Sequence, residues 1–298
     1  MPELPEVETI VRGLRPHLVG RRVAAARGSR LLRALPSRAA VLRGLPGRRL
    51  VRLRRRGKYL LADLDDGRTL LVHLGMSGRL VLEGAGVRPG KHLHLAVRLA
   101  GLDAELRFYD PRRFGRVALG RPGELAARTG LGGLGLEPLD SSAGRIAAAI
   151  RSRDKRLKAL LLEQRAVAGL GNIYADEALF RAGLHPERTG ASLGGEEALL
   201  LGREIRAVLA EAVAGGGSTI GDYVRHDGSA GSYQQRHLVY GRAGQPCPRC
   251  GLRLVRLVVA GRGTHLCPRC QVRGSGKVPA GRLSPRLPDS CRRRRRPG

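Results

Sequence analysis

The sequence predicts a multidomain α and β protein, with an N-terminal helix on a β-sandwich followed by a helical domain that ends in a small four-cysteine module. Three observations predict it. An apolar stripe at helical spacing occupies residues 5–14, short alternating apolar runs fill about 22–120, and from about 121 the apolar spacing settles near 3.6 until two matched Cys-x-x-Cys pairs appear. The chain has 298 residues, room for about two domains at roughly 150 residues each and for at least one real core.

Each element has its own signal. Val7, Ile10, Val11 and Leu14 fall at i, i+3, i+4 and i+7, with Pro5 opening the helix and Gly13 near its end. The runs Val51–Leu53, Tyr59–Leu64, Thr69–His73, His92–Arg98 and Leu106–Phe108 read as strands, separated by turns at Asp65-Asp66-Gly67, Met76-Ser77-Gly78 and Pro89-Gly90. Short strands at this spacing form a sandwich or a barrel, and the sandwich is the reading adopted. Residues 121–140 are rich in Gly and Pro and read as a linker closing a 1–120 domain. Ile146–Ile150, Leu157–Leu162, Ile173–Phe180 and Glu196–Val213 read as helices of a 141–242 domain, broken at Gly169-Leu170-Gly171 and Gly183. Asn172 follows the first break, placed to cap a helix whose leading N–H groups would seat a phosphate; a plain interhelical corner is the alternative. Residues 215–242 form a long glycine-rich stretch, and so long a loop in a compact domain is a lid, a binding loop or disordered.

Charge narrows the partners. Lys and Arg total 55 against 25 acids, a net charge of +30, which favours a polyanion. A membrane surface is the weaker reading, because no run of 18 apolar residues and no amphipathic basic helix stands out. The acidic opening MPELPEVETI lacks the features of a signal peptide, so the chain is expected to work in the cytosol. Only Lys58, Lys91, Lys155, Lys158 and Lys277 are lysines. The arginine excess also follows from a composition biased across a whole proteome, so a single surface arginine carries little weight. Aromatic residues are 3% with no Trp, which argues against large base-stacking surfaces. Residues 272–298 hold nine basic residues and one acid, include Cys291 and Arg292–Arg296, and are expected to form a disordered tail.

Cys247-Pro-Arg-Cys250 and Cys267-Pro-Arg-Cys270 are separated by 16 residues, the spacing at which two knuckle turns bring four thiolates around one tetrahedral Zn²⁺. The module, 243–271, therefore reads as a zinc ribbon. Four cysteines leave no open coordination position, so this zinc is structural. Arg249, Arg262 and Arg269 would line the ribbon as a basic surface for phosphates.

The amino terminus offers a nucleophile. Pro2 follows Met1, so methionine removal would expose a secondary amine beside Glu3 and Glu6. An α-amino group with a pKa near 7.7 is roughly one-sixth free base at pH 7, against about 0.04% for a lysine. Such an amine forms a Schiff base without extreme burial. Acids and a proline in a first helical turn also have a plainer use, as an ordinary helix start.

Six separated motifs decide between these uses. Pro2-Glu-Leu-Pro-Glu-Val-Glu8, Arg56-Gly-Lys-Tyr59, His73-Leu-Gly-Met-Ser-Gly78, Asp110-Pro-Arg-Arg-Phe-Gly115, Gly169-Leu-Gly-Asn-Ile-Tyr-Ala-Asp-Glu177 and the four-cysteine ribbon together resemble the bacterial formamidopyrimidine-DNA glycosylase family, from residue 2 to about 271. The resemblance implies a bifunctional base excision repair enzyme that removes oxidised purines such as 8-oxoguanine and formamidopyrimidines, then cuts the strand by β,δ-elimination. It implies Pro2 as nucleophile, Glu3 as general acid or base, Lys58 on phosphate and in elimination, and Glu6 as a supporting acid. It implies Met76, Arg112 and Phe114 as the residues that fill the gap left by an extruded base. His92, Lys158, Asn172, Tyr240 and Arg262 are implied as further DNA contacts, Lys158 and Asn172 on backbone phosphates within a helix-two-turn-helix element. Thr219–Tyr233 corresponds to the loop that covers the extruded base. The implied partner is damaged double-stranded DNA, bound by a monomer in the cytoplasm at the nucleoid. Two other readings stay open: the endonuclease VIII-like branch, which prefers oxidised pyrimidines, and a lesion-binding paralogue without turnover. The intact His-Leu-Gly-Met and Arg-Arg-Phe-Gly segments favour the first reading over its sister branch, and Pro2, Glu3 and Lys58 argue against the paralogue.

Overall fold

The computed structural model describes residues 2–274; Met1 and 275–298, with Lys277, Cys291 and the Arg292–Arg296 run, lie outside the described residues. Helix α1 (Leu4–Leu18) runs past its expected end near Gly13, because Leu14 and Leu18 continue the buried stripe. A glycine inside a helix costs about 1 kcal/mol relative to alanine. Here it is required, since a β-carbon at Gly13 would overlap the His226 ring.

The chain then forms β1 (Val23–Gly28), β2 (Ala34–Leu35), α2 (Arg38–Gly44), β3 (Leu50–Arg56), β4 (Tyr59–Leu64), β5 (Thr69–His73), β6 (Arg79–Gly84), β7 (Leu93–Leu99), β8 (Ala104–Tyr109) and β9 (Arg116–Gly120). These make two sheets, β1-β7-β8-β6 and β2-β9-β5-β4-β3, antiparallel except for the short β2–β9 pair. Alternation puts Leu95, Val97, Leu106 and Phe108 of one sheet against Leu53, Leu60, Leu70 and Val72 of the other, with Val7, Ile10, Val11 and Leu14 packed on the same core. Burying each such side chain stabilises the fold by about 1.5–3 kcal/mol.

Where sequence pattern suggested only a linker, helix α3 (Pro122–Thr129) forms and stops at Gly130, whose φ is 79°. Its Leu125 covers Tyr59, Leu61, Leu71 and Ala118 on the outer face of the five-stranded sheet. Burial of that one apolar residue outweighs the Gly and Pro content around it. Helices α4 (Ala143–Arg151), α5 (Leu157–Leu162), α6 (Asn172–Arg181) and α7 (Gly195–Ala214) then build a second core. Leu4 belongs to this second core while Val7 onward belong to the first, so α1 is shared and its N-terminus sits at the junction. Strands β10 (Val255–Val259) and β11 (Arg262–Leu266) form an antiparallel hairpin between the cysteine pairs. Of the expected disordered tail, Val272 pairs with Leu184 and Arg273 bridges to Glu187.

Candidate active site and metal centre

The Gly169-Leu-Gly corner brings the start of α6 onto residue 3. Leu4 N donates to Gly169 O at 3.0 Å, and a β-carbon on Gly171 would overlap the Glu3 carboxyl. Glu3 accepts from Gly171 N at 2.6 Å, Ile173 N at 2.9 Å and Tyr174 N at 3.4 Å. This corrects the expected phosphate seat. A helix N-terminus attracts the nearest anion, and that anion is Glu3. Asn172 is not the cap either: Gly171 holds that position, and Asn172 Nδ2 donates to Gly263 O at 2.9 Å, tying β11 to α6.

Glu6 lies beneath. Its carboxylate accepts from Glu3 N at 2.8 Å, Tyr174 Oη at 2.6 Å and Ser218 N at 2.8 Å. Burial pushes its pKa up and the neighbouring Glu3 adds to this, against the lowering by those hydrogen bonds.

Lys58 starts the return from β3 into β4. Glu137 fixes that turn by accepting from Arg55 Nη1 at 2.5 Å, Arg56 Nη1 at 3.1 Å and Gly57 N at 3.0 Å. Lys58 is 8% exposed, and burial pushes its pKa down while Glu3 and Glu6 pull it up and Arg262 pushes it down. Arg262, exposed at the head of β11, therefore shares the site with Lys58 and the two acids. Lys58 lines a cavity of about 300 Å³ with Tyr59, His73, Leu134 and Gln164. Sequence reasoning passed over His73, although it opens a motif quoted above. Gly75 N donates to its Nδ1 at 3.2 Å, and burial with Arg116 and Lys58 nearby pushes its pKa down to about 4. Near neutral pH it is an uncharged imidazole, and accepting at Nδ1 leaves its proton on Nε2.

Lys158 departs from expectation. It is 0% exposed, ion-paired with Asp176, and donates to Asn172 O at 3.1 Å, so its ammonium is already committed inside the protein. A buried ammonium needs a buried partner, and Asp176 on α6 supplies it. The same carboxylate accepts from His265 N at 2.9 Å, fastening β11 from below. Tyr240, half-buried, stands edge-on to His265 at 5.0 Å. Its backbone N donates to Glu177 at 2.9 Å, an acid that also takes Leu238 N and Val239 N. Tyr174, Asp176 and Glu177 were missed as individual residues; their signal was three polar groups on a helix otherwise made for burial.

A separate rim carries the other predicted residues. Met76 is 39% and Phe114 54% exposed, and Arg112 is exposed beside them in sequence. Asp110 holds the two turns together by accepting from Ser77 Oγ at 2.7 Å and Gly115 N at 2.7 Å, while Arg112 N donates to Ser77 Oγ at 3.2 Å. His92 is exposed with φ 66°, and its carbonyl accepts from Asp110 N at 3.1 Å.

The four cysteines converge, with all four Sγ atoms within 4.8 Å of one another. The pairs Cys250–Cys267 and Cys247–Cys270 are 3.5 and 3.9 Å apart. Tetrahedral bonds of about 2.3 Å place thiolates ~3.8 Å apart, so the set fits one structural zinc ion. Arg249 N and Cys270 N each donate to a cysteine sulfur. The Arg249 side chain, expected on phosphate, donates instead to Phe180 O and Arg181 O at the end of α6.

The Thr219–Tyr233 loop is tethered in the middle. Tyr223 enters the sandwich core, and Leu82 N donates to His226 O at 2.8 Å. No helix among the described residues is long and apolar enough to cross a membrane.

Three family models match in order: formamidopyrimidine-DNA glycosylase N-terminal domain at 1–117, its H2TH domain at 134–224, and the zinc finger found in FPG and IleRS at 244–272. The formamidopyrimidine-DNA glycosylase of Gluconobacter oxydans is 46% identical over 255 residues, covering 84% of this chain and 92% of its own. That of Moorella thermoacetica is 47% identical over 260 residues, covering 86% and 94%. The MutM (Fpg) crystal structure from Thermus thermophilus superposes with a TM-score of 0.82 at 46% identity, over 92% of this chain and 100% of the other. Lactococcus lactis Fpg in complex with abasic-site DNA gives 0.82 at 36% identity, over 91% and 99%. The chain thus belongs to the formamidopyrimidine-DNA glycosylase family, glycosylases of base excision repair, and carries at 244–272 the zinc finger found in that family.

Proposed function

We propose that this protein excises oxidised purines, 8-oxoguanine and formamidopyrimidines, from double-stranded DNA and then cleaves the strand as an abasic-site lyase. Pro2, freed by removal of Met1, is the nucleophile. Its nitrogen attacks C1′, the bond from C1′ to the base breaks, and the base leaves as an anion that takes a proton from solvent. Opening of the sugar ring needs a proton on O4′, and Glu3 relays it from the Pro2 amine. The resulting imine acidifies C2′, whose proton is lost as the 3′ phosphate departs; a second elimination releases the 5′ phosphate. Lys58 and neutral His73 stand where the departing phosphate oxygens need donors. Arg262 and Tyr240 add contacts from the ribbon, and Asn172 joins them only if a phosphate displaces its bond to Gly263.

Extruding a base leaves a gap in the duplex. Met76, Phe114 and Arg112 fill it, the first two as apolar wedges and Arg112 as donor to the unpaired base, with His92 on the flanking backbone. The Thr219–Tyr233 loop covers the extruded base. The protein acts as a monomer at the nucleoid. The observation that carries this reading is the junction itself: Glu3 fastened across α6 by three backbone N–H groups, one residue from Pro2 and in electrostatic reach of a buried Lys58.

Incubating the protein with a duplex holding 8-oxoguanine opposite cytosine, with borohydride present, should yield a covalent protein–DNA adduct. A Pro2→Gly variant that forms it equally fast removes Pro2 from this role. A faster single-turnover reaction on thymine glycol moves the substrate class to oxidised pyrimidines.

A further inference from the structure

The 219–233 loop leaves α7 and returns beside its own start. Backbone bonds draw the neck together, from Ser232 N to Gly215 O and from Tyr233 N to Gly217 O, both at 3.1 Å, while Thr219 N donates to Gln234 Oε1 at 3.0 Å. One buried side-chain closure is added. Ser218 Oγ lies 2.9 Å from Nε2 of His237, and neither side chain has a part in the chemistry above.

This closure continues inward. Ser218 Oγ is 3.1 Å from the Tyr174 hydroxyl, which donates to Glu6, and Ser218 N donates to the same carboxylate oxygen. Glu6, Tyr174, Ser218 and His237 thus form one string from α1 through α6 to both sides of the neck, and none is more than 6% exposed. His237 is wedged edge-on between Tyr233 at 5.9 Å and Tyr240 at 5.8 Å. Burial pushes its pKa down to about 4, so near neutral pH the ring is uncharged and presents one donor and one acceptor.

We propose that His237 is a positioning residue for base excision: its bond to Ser218 clasps the neck of the covering loop to the Tyr174–Glu6 pair beneath Pro2 and Glu3. The inference rests on the function proposed above. Tyr223 and His226 tether the middle of the loop independently, so the clasp governs the neck alone. Without it the Ser218 hydroxyl turns to Tyr174, and the neck keeps its backbone bonds, Gln234, and the outer ties from Gly231 N to Thr219 Oγ1, Ser232 Oγ to Gly215 O and Tyr223 Oη to Gly216 O, none of which reaches the Tyr174 hydroxyl or the Glu6 carboxylate. An extruded base needs the cover; an abasic sugar has no base to cover. The clasp therefore serves excision and not strand cleavage at a preformed abasic site.

The test uses the full chain in single-turnover assays on two duplexes, one with 8-oxoguanine and one with a preformed abasic site. His237→Leu removes both ring nitrogens at similar volume and should slow base excision about tenfold, the worth of one net hydrogen bond, with abasic cleavage within about twofold of wild type. His237→Gln, which keeps a donor and an acceptor, should recover most of the excision rate. Ser218→Ala should cost less in the His237→Leu background than in the wild type, because the shared bond is already gone and only the contact with Tyr174 remains to be lost. Equal rates for His237→Leu and wild type on both duplexes overturn the clasp alone. Equal losses on both duplexes, unrelieved by glutamine, also overturn it, since a general weakening of the fold does not distinguish the substrates. A wild-type protein that leaves both duplexes intact overturns the function itself.

Discussion

At the junction of α1 and α6 the acids and the lysine are buried and each carboxylate has several partners, whereas on the rim at 75–78 and 110–115 the side chains proposed to meet DNA stand in solvent. The difference lies in what each region must do before substrate arrives. Glu3 must already be aimed, so three backbone N–H groups hold it. In the proposed function Met76 and Phe114 enter another molecule; their side chains stand exposed and the order is built below them, in Asp110 and Ser77. Substitutions in the first region should therefore cost stability as well as activity, and substitutions at the rim's tips activity alone.

The largest effect is expected at Lys158. Lys158→Ala strands the Asp176 carboxylate in the interior and should destabilise the protein by about 3–5 kcal/mol in urea unfolding. The double variant Lys158→Met with Asp176→Leu should recover part of it, the remainder being the His265 N–H left without its acceptor; a single variant losing less than about 1 kcal/mol would mean that the pair is solvated.

Acidification should come next. His73 and His237 have pKa values pushed down to about 4 in the folded chain, against 6.5 as the ordinary value. The unfolded chain takes up these protons first, so the stability they lend is present above 6.5 and is lost as pH falls toward 4. Between pH 7 and 5 each should cost about 2 kcal/mol, and His237→Leu should flatten the fall in unfolding temperature over that range.

Asp110→Ala should cost about 1–3 kcal/mol by leaving the Ser77 hydroxyl proton and Gly115 N without an acceptor, and should slow excision by releasing both rim turns. Phe114→Ala should change stability by less than about 0.5 kcal/mol yet slow excision from duplex DNA. Destabilisation comparable to that of Asp110→Ala would place Phe114 among the structural residues and erase the contrast between the two regions.

Local pattern made much of this legible. The four helices of the second core declared themselves by spacing, and the four cysteines by matched knuckles, because both signals lie within a short window. Strand β9 and helix α3 did not, since Leu125 is defined by the sheet face it covers. At the site, the motifs named Glu3, Glu6 and Lys58, which the structure brings to one junction next to Pro2. They did not reveal that the α6 amides are already taken, because the acceptor is about 170 residues away in sequence. The ion pair of Lys158 was hidden for the same reason: its partner Asp176 sits on another helix, and only burial in the folded chain brings the two together beneath the surface.

The central claim is that the Pro2 nitrogen forms the covalent bond to the sugar. After borohydride reduction on 8-oxoguanine DNA, nuclease trimming and proteolysis, mass spectrometry of the adduct should find the deoxyribose remnant on the peptide beginning at Pro2, with Met1 absent. A remnant on Lys58, or an adduct carrying Met1 intact, would contradict it.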